Sequence, residues 1–122
     1  MITGVHALIH STEPEALRRF FRDILELPSV DAGEGWLIFV LPPAELGIHP
    51  ADKDIHHQLY LTCDDIQATV EELKAKGVEF SGTIIDEGWG LVARAKIPGA
   101  GELGIYQPKH PTVLTGQREA HP

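Results

Sequence analysis

The chain is poor in sulfur: one cysteine, Cys63, and one methionine in 122 residues. A lone cysteine forms no internal disulfide, and near the end of an apolar run Cys63 reads as a small buried hydrophobe, not a nucleophile. Basic residues are also few, ten Lys and Arg against 18 Asp and Glu, for a net charge of −8. Arg18, Arg19, Arg22, Lys74 and Lys76 are scattered, so no continuous face neutralises phosphates and nucleic acid is not an expected partner. Long apolar runs are missing, which excludes a helical membrane span. The opening MITGVHALIHS has no basic segment leading into an apolar one, so the expected location is cytoplasmic. A Gly-rich phosphate loop, a GxSxG elbow, CxxC and HExxH are all absent, removing the usual nucleotide, hydrolase and zincin readings.

What is present suffices for one domain: 43% of the residues are hydrophobic, and the length is short for two. Residues 4–11 alternate as a strand. Thr12 then reads as a helix N-cap, with Pro14 in the first turn and acids at its positive end. Ala16, Leu17, Phe20, Phe21, Ile24 and Leu25 make one apolar stripe, which stops at Leu27-Pro28. A turn over 31–35 leads to strands at 36–41 and 45–49, broken by Pro42-Pro43. After a polar joint at 50–54 the order repeats. A strand at 56–63 is followed by a helix carrying Ile66, Val70 and Leu73 and ending at Gly77, then strands at 78–80, 83–85, 89–97 and 102–106. From Lys109 onward periodicity is lost, and 109–122 reads as a flexible tail.

The repetition extends to particular residues. His6 precedes Glu13 by the interval that separates His57 from Asp64; Gly35-Trp36 returns as Gly88-Trp89; Glu45-Leu46-Gly47-Ile48-His49-Pro50 returns as Glu102-Leu103-Gly104-Ile105-Tyr106-Gln107-Pro108. The offset grows from 51 to 53 to 57 residues, as loop insertions in the second copy would cause. Three matches in the same order indicate a duplicated strand-helix-strand-strand-strand unit. The predicted architecture is therefore α+β, a single domain over 1–108 with modules at about 2–50 and 55–108. Two such units side by side form an open, cup-shaped mixed sheet with a concave ligand site.

HALIHSTEPEALRRFFRDILELP, HQLYLTCDDIQATVEELKAKGVEF, Trp89-Gly90 and IPGAGELGIYQP, in this order, resemble the vicinal-oxygen-chelate superfamily of glyoxalases, extradiol dioxygenases and bleomycin-resistance proteins. Glu26 stands where the first segment usually has glycine. The resemblance implies a metal site with His6 and His57 at the starts of equivalent strands, and a divalent Fe, Mn, Zn, Co or Ni ion. His56 lies one residue from His57, and a one-residue slip would exchange them. Aligned without a gap, this chain has Gly104 where the family has its acid, and Gly47 in the first copy; with the preceding turn shortened by two residues, Glu102-Leu103 aligns with the family's Glu-Leu instead, and spacing alone does not choose between the two registers. A ligand displaced by one pleat would be Glu102, since Glu102, Gly104 and Tyr106 share a face, as do Glu45, Gly47 and His49.

Two readings of the histidines stand side by side, metal ligands and pocket-lining groups. Under the first, His6, His57 and Glu102 hold an ion that chelates two adjacent substrate oxygens, with Glu102 or His10 moving the proton. Under the second, the protein sequesters a flat aromatic molecule without metal. In either case His10, Trp36, His49, Trp89 and Tyr106 line the pocket, while Phe20, Phe21 and Tyr60 read as core between helix and sheet. The partner is a small molecule, and the resemblance implies a homodimer.

Overall fold

In the second half of the chain, hydrophobic periodicity becomes regular structure, except that the strand expected at 78–80 is reduced to a single bridge from Phe80 to Ala95. The computed structural model describes residues 6–48, 50–51, 53, 56–112 and 114. The elements, in order, are helix α1 (Pro14–Arg19) continued by a π-helical turn (Phe20–Ile24), strands β1 (Ser29–Asp31), β2 (Leu37–Phe39) and β3 (Tyr60–Thr62), helix α2 (Ile66–Ala75), and strands β4 (Ile85–Asp86), β5 (Gly90–Lys96) and β6 (Glu102–Pro108). β3, β6, β5 and β4 form one sheet in that spatial order, and β1 and β2 form a separate hairpin. β3 runs parallel to β6 and the other pairings are antiparallel. The chain is thus a mixed α+β fold with an open sheet.

Register decides which side chains look into the cup. Tyr60 pairs with Gly104 and Thr62 with Tyr106; Arg94 pairs with Gly104, Val92 with Tyr106 and Lys96 with Glu102. Paired residues share a face, so Tyr60, Arg94, Glu102, Gly104 and Tyr106 all lie on the concave side. The alternate residues Ala93, Ala95, Leu103 and Ile105 lie on the other side, in one buried cluster with Leu17, Phe20 and Phe21 of the first helix and Ile66, Val70 and Leu73 of the second. The helices therefore cover one face and leave the other for a ligand.

α2 starts where its first turn is best satisfied. Its N-cap is Asp65, whose carboxylate accepts the Ala68 N–H at 3.1 Å, and the Ile66 N–H is taken by Gln107 Oε1 at 3.0 Å. α1 differs from expectation. Its cap position is Glu13, without a side-chain cap, and Thr12 instead points its hydroxyl at the Gly99 carbonyl. Glu26, in the place where glycine is usual, has φ +57°, the left-handed region that costs a side-chain-bearing residue roughly 1–2 kcal/mol. That value gives the usual glycine its reason.

The duplication is visible in the two hairpins. Asp31 accepts the Gly35 N–H at 3.2 Å and Asp86 accepts the Gly88 N–H at 2.9 Å, and Gly35 and Gly88 share φ +85° just before Trp36 and Trp89. At their ends the modules diverge. Residues 6–10 and 44–48 form no strand, contrary to expectation, whereas Ser29–Asp31 does so without an alternation signal. A strand needs a neighbour to pair its backbone groups. ELGIYQP lies between β3 and β5, but residues 44–48 have no strand beside them among the described residues, and prolines before and after break the run. Leu46 and Ile48 are consequently 86% and 87% exposed.

Candidate functional site

The concave face is built on two glycines, each covered by a tyrosine from the next strand. A Cβ at Gly104 would fall inside contact distance of Cδ1 and Cε1 of Tyr60, and one at Gly90 would lie 2.7 Å from Cδ2 of Tyr106. The rings thus lie directly on bare backbone, which replaces the packing a glycine cannot provide. Tyr60, Trp89 and Tyr106 then meet edge to face, with centroid separations of 5.8, 5.5 and 5.1 Å and interplanar angles of 77°, 86° and 84°. Tyr60 is therefore not packed between helix and sheet as expected, although Phe20 and Phe21 are. The correction follows from register: Leu59, Leu61 and Cys63 pack toward the core, and the residues between them face the cup.

Beside the Tyr60 ring is a cavity of about 250 Å³, bordered by His57, Gln58, Tyr60, Arg94, Glu102 and Gly104, with Ile9, Ile97 and Ala100 among its apolar walls. Alternation from Tyr60 brings Gln58 into phase with the cup, one residue away from the expected His57. The observed cap explains this. Counting back from Asp65, instead of Asp64, by the interval that separates Glu13 from His6 gives Gln58. His57 nonetheless borders the cavity, and so does Glu102.

The remaining predicted site residues are dispersed. His6 and His10 are exposed and, like Trp36, Trp89 and Tyr106, do not border this cavity. Trp36 is 51% exposed at the tip of the first hairpin. His49 lies outside the described residues. Among the described residues, no three His, Cys, Asp or Glu side chains come together so that they could hold one metal ion. The expected set of His6, His57 and Glu102 is thus not assembled within one chain, and the place where the family acid would project from Gly104 is taken by the Tyr60 ring.

A second polar group lies at the other end of the aromatic row, where the chain after β6 folds back. The Lys109 N–H donates to the Trp89 carbonyl at 2.9 Å, and the Thr112 hydroxyl donates to Glu45. His110 Nδ1 is 2.7 Å from the Pro111 carbonyl, which can only accept, so in the neutral imidazole Nε2 accepts the Tyr106 hydroxyl at 3.2 Å. Burial, and then the negative charge of Glu45, push the Tyr106 phenol up from its ordinary value, keeping it a hydrogen-bond donor. Sequence reasoning missed His110 and Thr112, which carry no motif. Burial likewise raises the Cys63 thiol, disfavouring the reactive thiolate.

The fold has counterparts among known proteins. The sequence profile of the Glyoxalase/Bleomycin resistance protein/Dioxygenase superfamily matches residues 4–105. No curated protein matches the chain significantly. Among solved structures, the chain is similar to TnmS3, an antibiotic-binding protein from Streptomyces sp. CB03234, with 20% identity, 88% of this chain and 98% of that one covered, and a TM-score of 0.65. A glyoxalase/bleomycin resistance protein/dioxygenase superfamily member from Sphaerobacter thermophilus DSM 20745 shares 22% identity over 87% of this chain and 98% of its own, with a TM-score of 0.57. The virulence protein STM3117 from Salmonella typhimurium shares 14% over 88% and 98%, with a TM-score of 0.61. With the profile covering most of its length and this fold behind it, the chain belongs to the Glyoxalase/Bleomycin resistance protein/Dioxygenase superfamily.

Proposed function

We propose that the protein binds and sequesters small, flat aromatic molecules in the cavity beside Tyr60, without a metal ion. The observation that carries this reading is the Tyr60 ring lying on Gly104: an aromatic surface stands where a metal-binding relative would place its acid. A ligand ring has Tyr60 to pack against, with Ile9, Ile97 and Ala100 around it. An antibiotic is what TnmS3 binds; at 20% identity that likeness concerns the fold, and the reading for this chain rests on its own cavity.

Titration with planar aromatic compounds is expected to quench the fluorescence of Trp89, which touches Tyr60 edge to face, with Trp36→Phe removing the other indole. Binding should be unchanged by EDTA. Binding that EDTA abolishes and a divalent ion restores would return the site to metal-dependent chemistry, the glyoxalase or dioxygenase alternative.

The same reading takes the functional form to be a homodimer. Leu8, Leu46 and Ile48 are exposed on segments of the first module that have no strand partner among the described residues, and cover from a second copy would remove that apolar area from water. Light scattering is expected to give twice the chain mass, and Leu46→Ser with Ile48→Ser to give the single mass. A monomeric wild-type protein would refute the pairing.

A further inference from the structure

Arg94 is the residue of the cavity that the reading above leaves without a task. It lies in the middle of β5, opposite Gly104, half-buried in the cavity wall with Tyr60, Gln58 and His57. Arg22, Lys76, Lys96 and Lys109 each lie within ion-pair distance of a carboxylate. The Arg94 guanidinium has no ion pair or hydrogen bond among the described residues, although the chain carries 18 acids against ten bases. Even Glu102, which borders the same cavity, is not paired with it. A partly desolvated guanidinium with all its donors open favours an anion, and its planar fork matches a carboxylate with two parallel hydrogen bonds.

Size narrows the class further. At about 250 Å³ the cavity falls below the roughly 300–1,000 Å³ of sites for drug-sized molecules, which suits one or two rings. Glu102, exposed at the rim, disfavours a second negative group. We infer that the cavity selects a small aromatic monocarboxylate, with its carboxylate on Arg94 and its ring against Tyr60. This inference rests on the aromatic-binding reading and adds the sign of the ligand's charge, anionic where the acidic chain as a whole would suggest a cation.

The test is calorimetric titration of the full chain with 2-naphthoate and its neutral isostere 2-naphthamide. Naphthoate is expected to bind about tenfold or more tightly than the amide, as charge-assisted hydrogen bonds would give. Arg94→Gln should remove that preference, weakening naphthoate binding by about tenfold or more and amide binding far less. Glu102→Gln should strengthen naphthoate binding a few-fold by removing a like charge. The comparison of ligands on the wild-type protein stands even if a variant folds poorly. Equal binding of the two compounds, or a preference that survives in Arg94→Gln, overturns the inference and leaves the aromatic-binding reading standing. Binding of neither compound overturns both.

Discussion

Replacing Gly104 with alanine is expected to destabilise the protein by about 3 kcal/mol, the upper part of the usual overpacking range. Alanine is normally the better residue in a strand, by roughly 0.5–1 kcal/mol over glycine, so the sign itself is informative. The new methyl would overlap Cδ1 and Cε1 of Tyr60, where carbon atoms prefer roughly 3.5–4.0 Å. Tyr60 cannot simply swing aside. Its ring also meets Trp89 and Tyr106 edge to face, and Gly104 is itself buried between β3 and β5. The measurement is urea unfolding in a double-mutant cycle with Tyr60→Ala. Once the ring is gone, Gly104→Ala should cost nothing and recover the normal strand preference. A neutral or stabilising Gly104→Ala in the wild-type background would mean that the glycine leaves space, and the case against an acid at this position would fall with it.

Only the pairing of Tyr60 with Gly104 gives that glycine its meaning. From sequence alone, glycines at both positions read only as the absence of the family's acid. The run Leu59-Tyr60-Leu61-Thr62-Cys63 does not alternate clearly enough to set its own phase, and adjacent acids at Asp64 and Asp65 leave the helix start open by one residue. The hydrogen bond from the Ala68 N–H to Asp65 closes that choice, placing Tyr60 over the sheet and Gln58 in step with it. One residue of register thus separates a predicted histidine site from an aromatic surface.

Other features were legible because a single period governs them. Ile66, Val70 and Leu73 on one helical stripe fixed α2 and its buried face, and the apolar run ahead of Ile97 fixed β5. The stripe through Leu17, Phe20 and Phe21 identified the first helix but not the π-helical turn over Phe20–Ile24, since one additional residue in a turn barely changes an apolar stripe. Residues 44–48 show the converse. Their pattern matches β6 nearly residue for residue, but a strand is made by its neighbours, and among the described residues no strand lies beside them. His110 and Thr112 were invisible for a third reason: their roles depend on contacts with Tyr106 and Glu45 that no local pattern encodes.

The joint between the modules supplies the second large effect. Gly99, in the turn between β5 and β6, accepts the Thr12 N–H on its carbonyl at 2.9 Å, and Ser11 donates its hydroxyl to the Pro98 carbonyl at 2.9 Å while accepting the Glu13 N–H at 2.9 Å. The start of the first helix is thereby fastened to the second module. A Cβ at Gly99 would meet the backbone nitrogen of Glu13, and would lie 2.6 Å from Ser11 Oγ and 2.9 Å from Thr12 Oγ1. Its φ of +63° adds the left-handed penalty of roughly 1–2 kcal/mol. Gly99→Ala is therefore expected to cost about 4 kcal/mol, strain plus the overpacking term. Gly101→Ala is the control. Its φ is +72° with nothing within 4 Å of the added atom, so it should pay the conformational cost alone, about 1 kcal/mol. Urea unfolding of the two variants separates close approach from backbone strain. If Gly99→Ala cuts the link without unfolding the second module, its denaturant slope should fall as well, because less surface remains to be exposed cooperatively. Equal costs for the two substitutions would show that no close approach exists at Gly99 and that the modules are joined elsewhere.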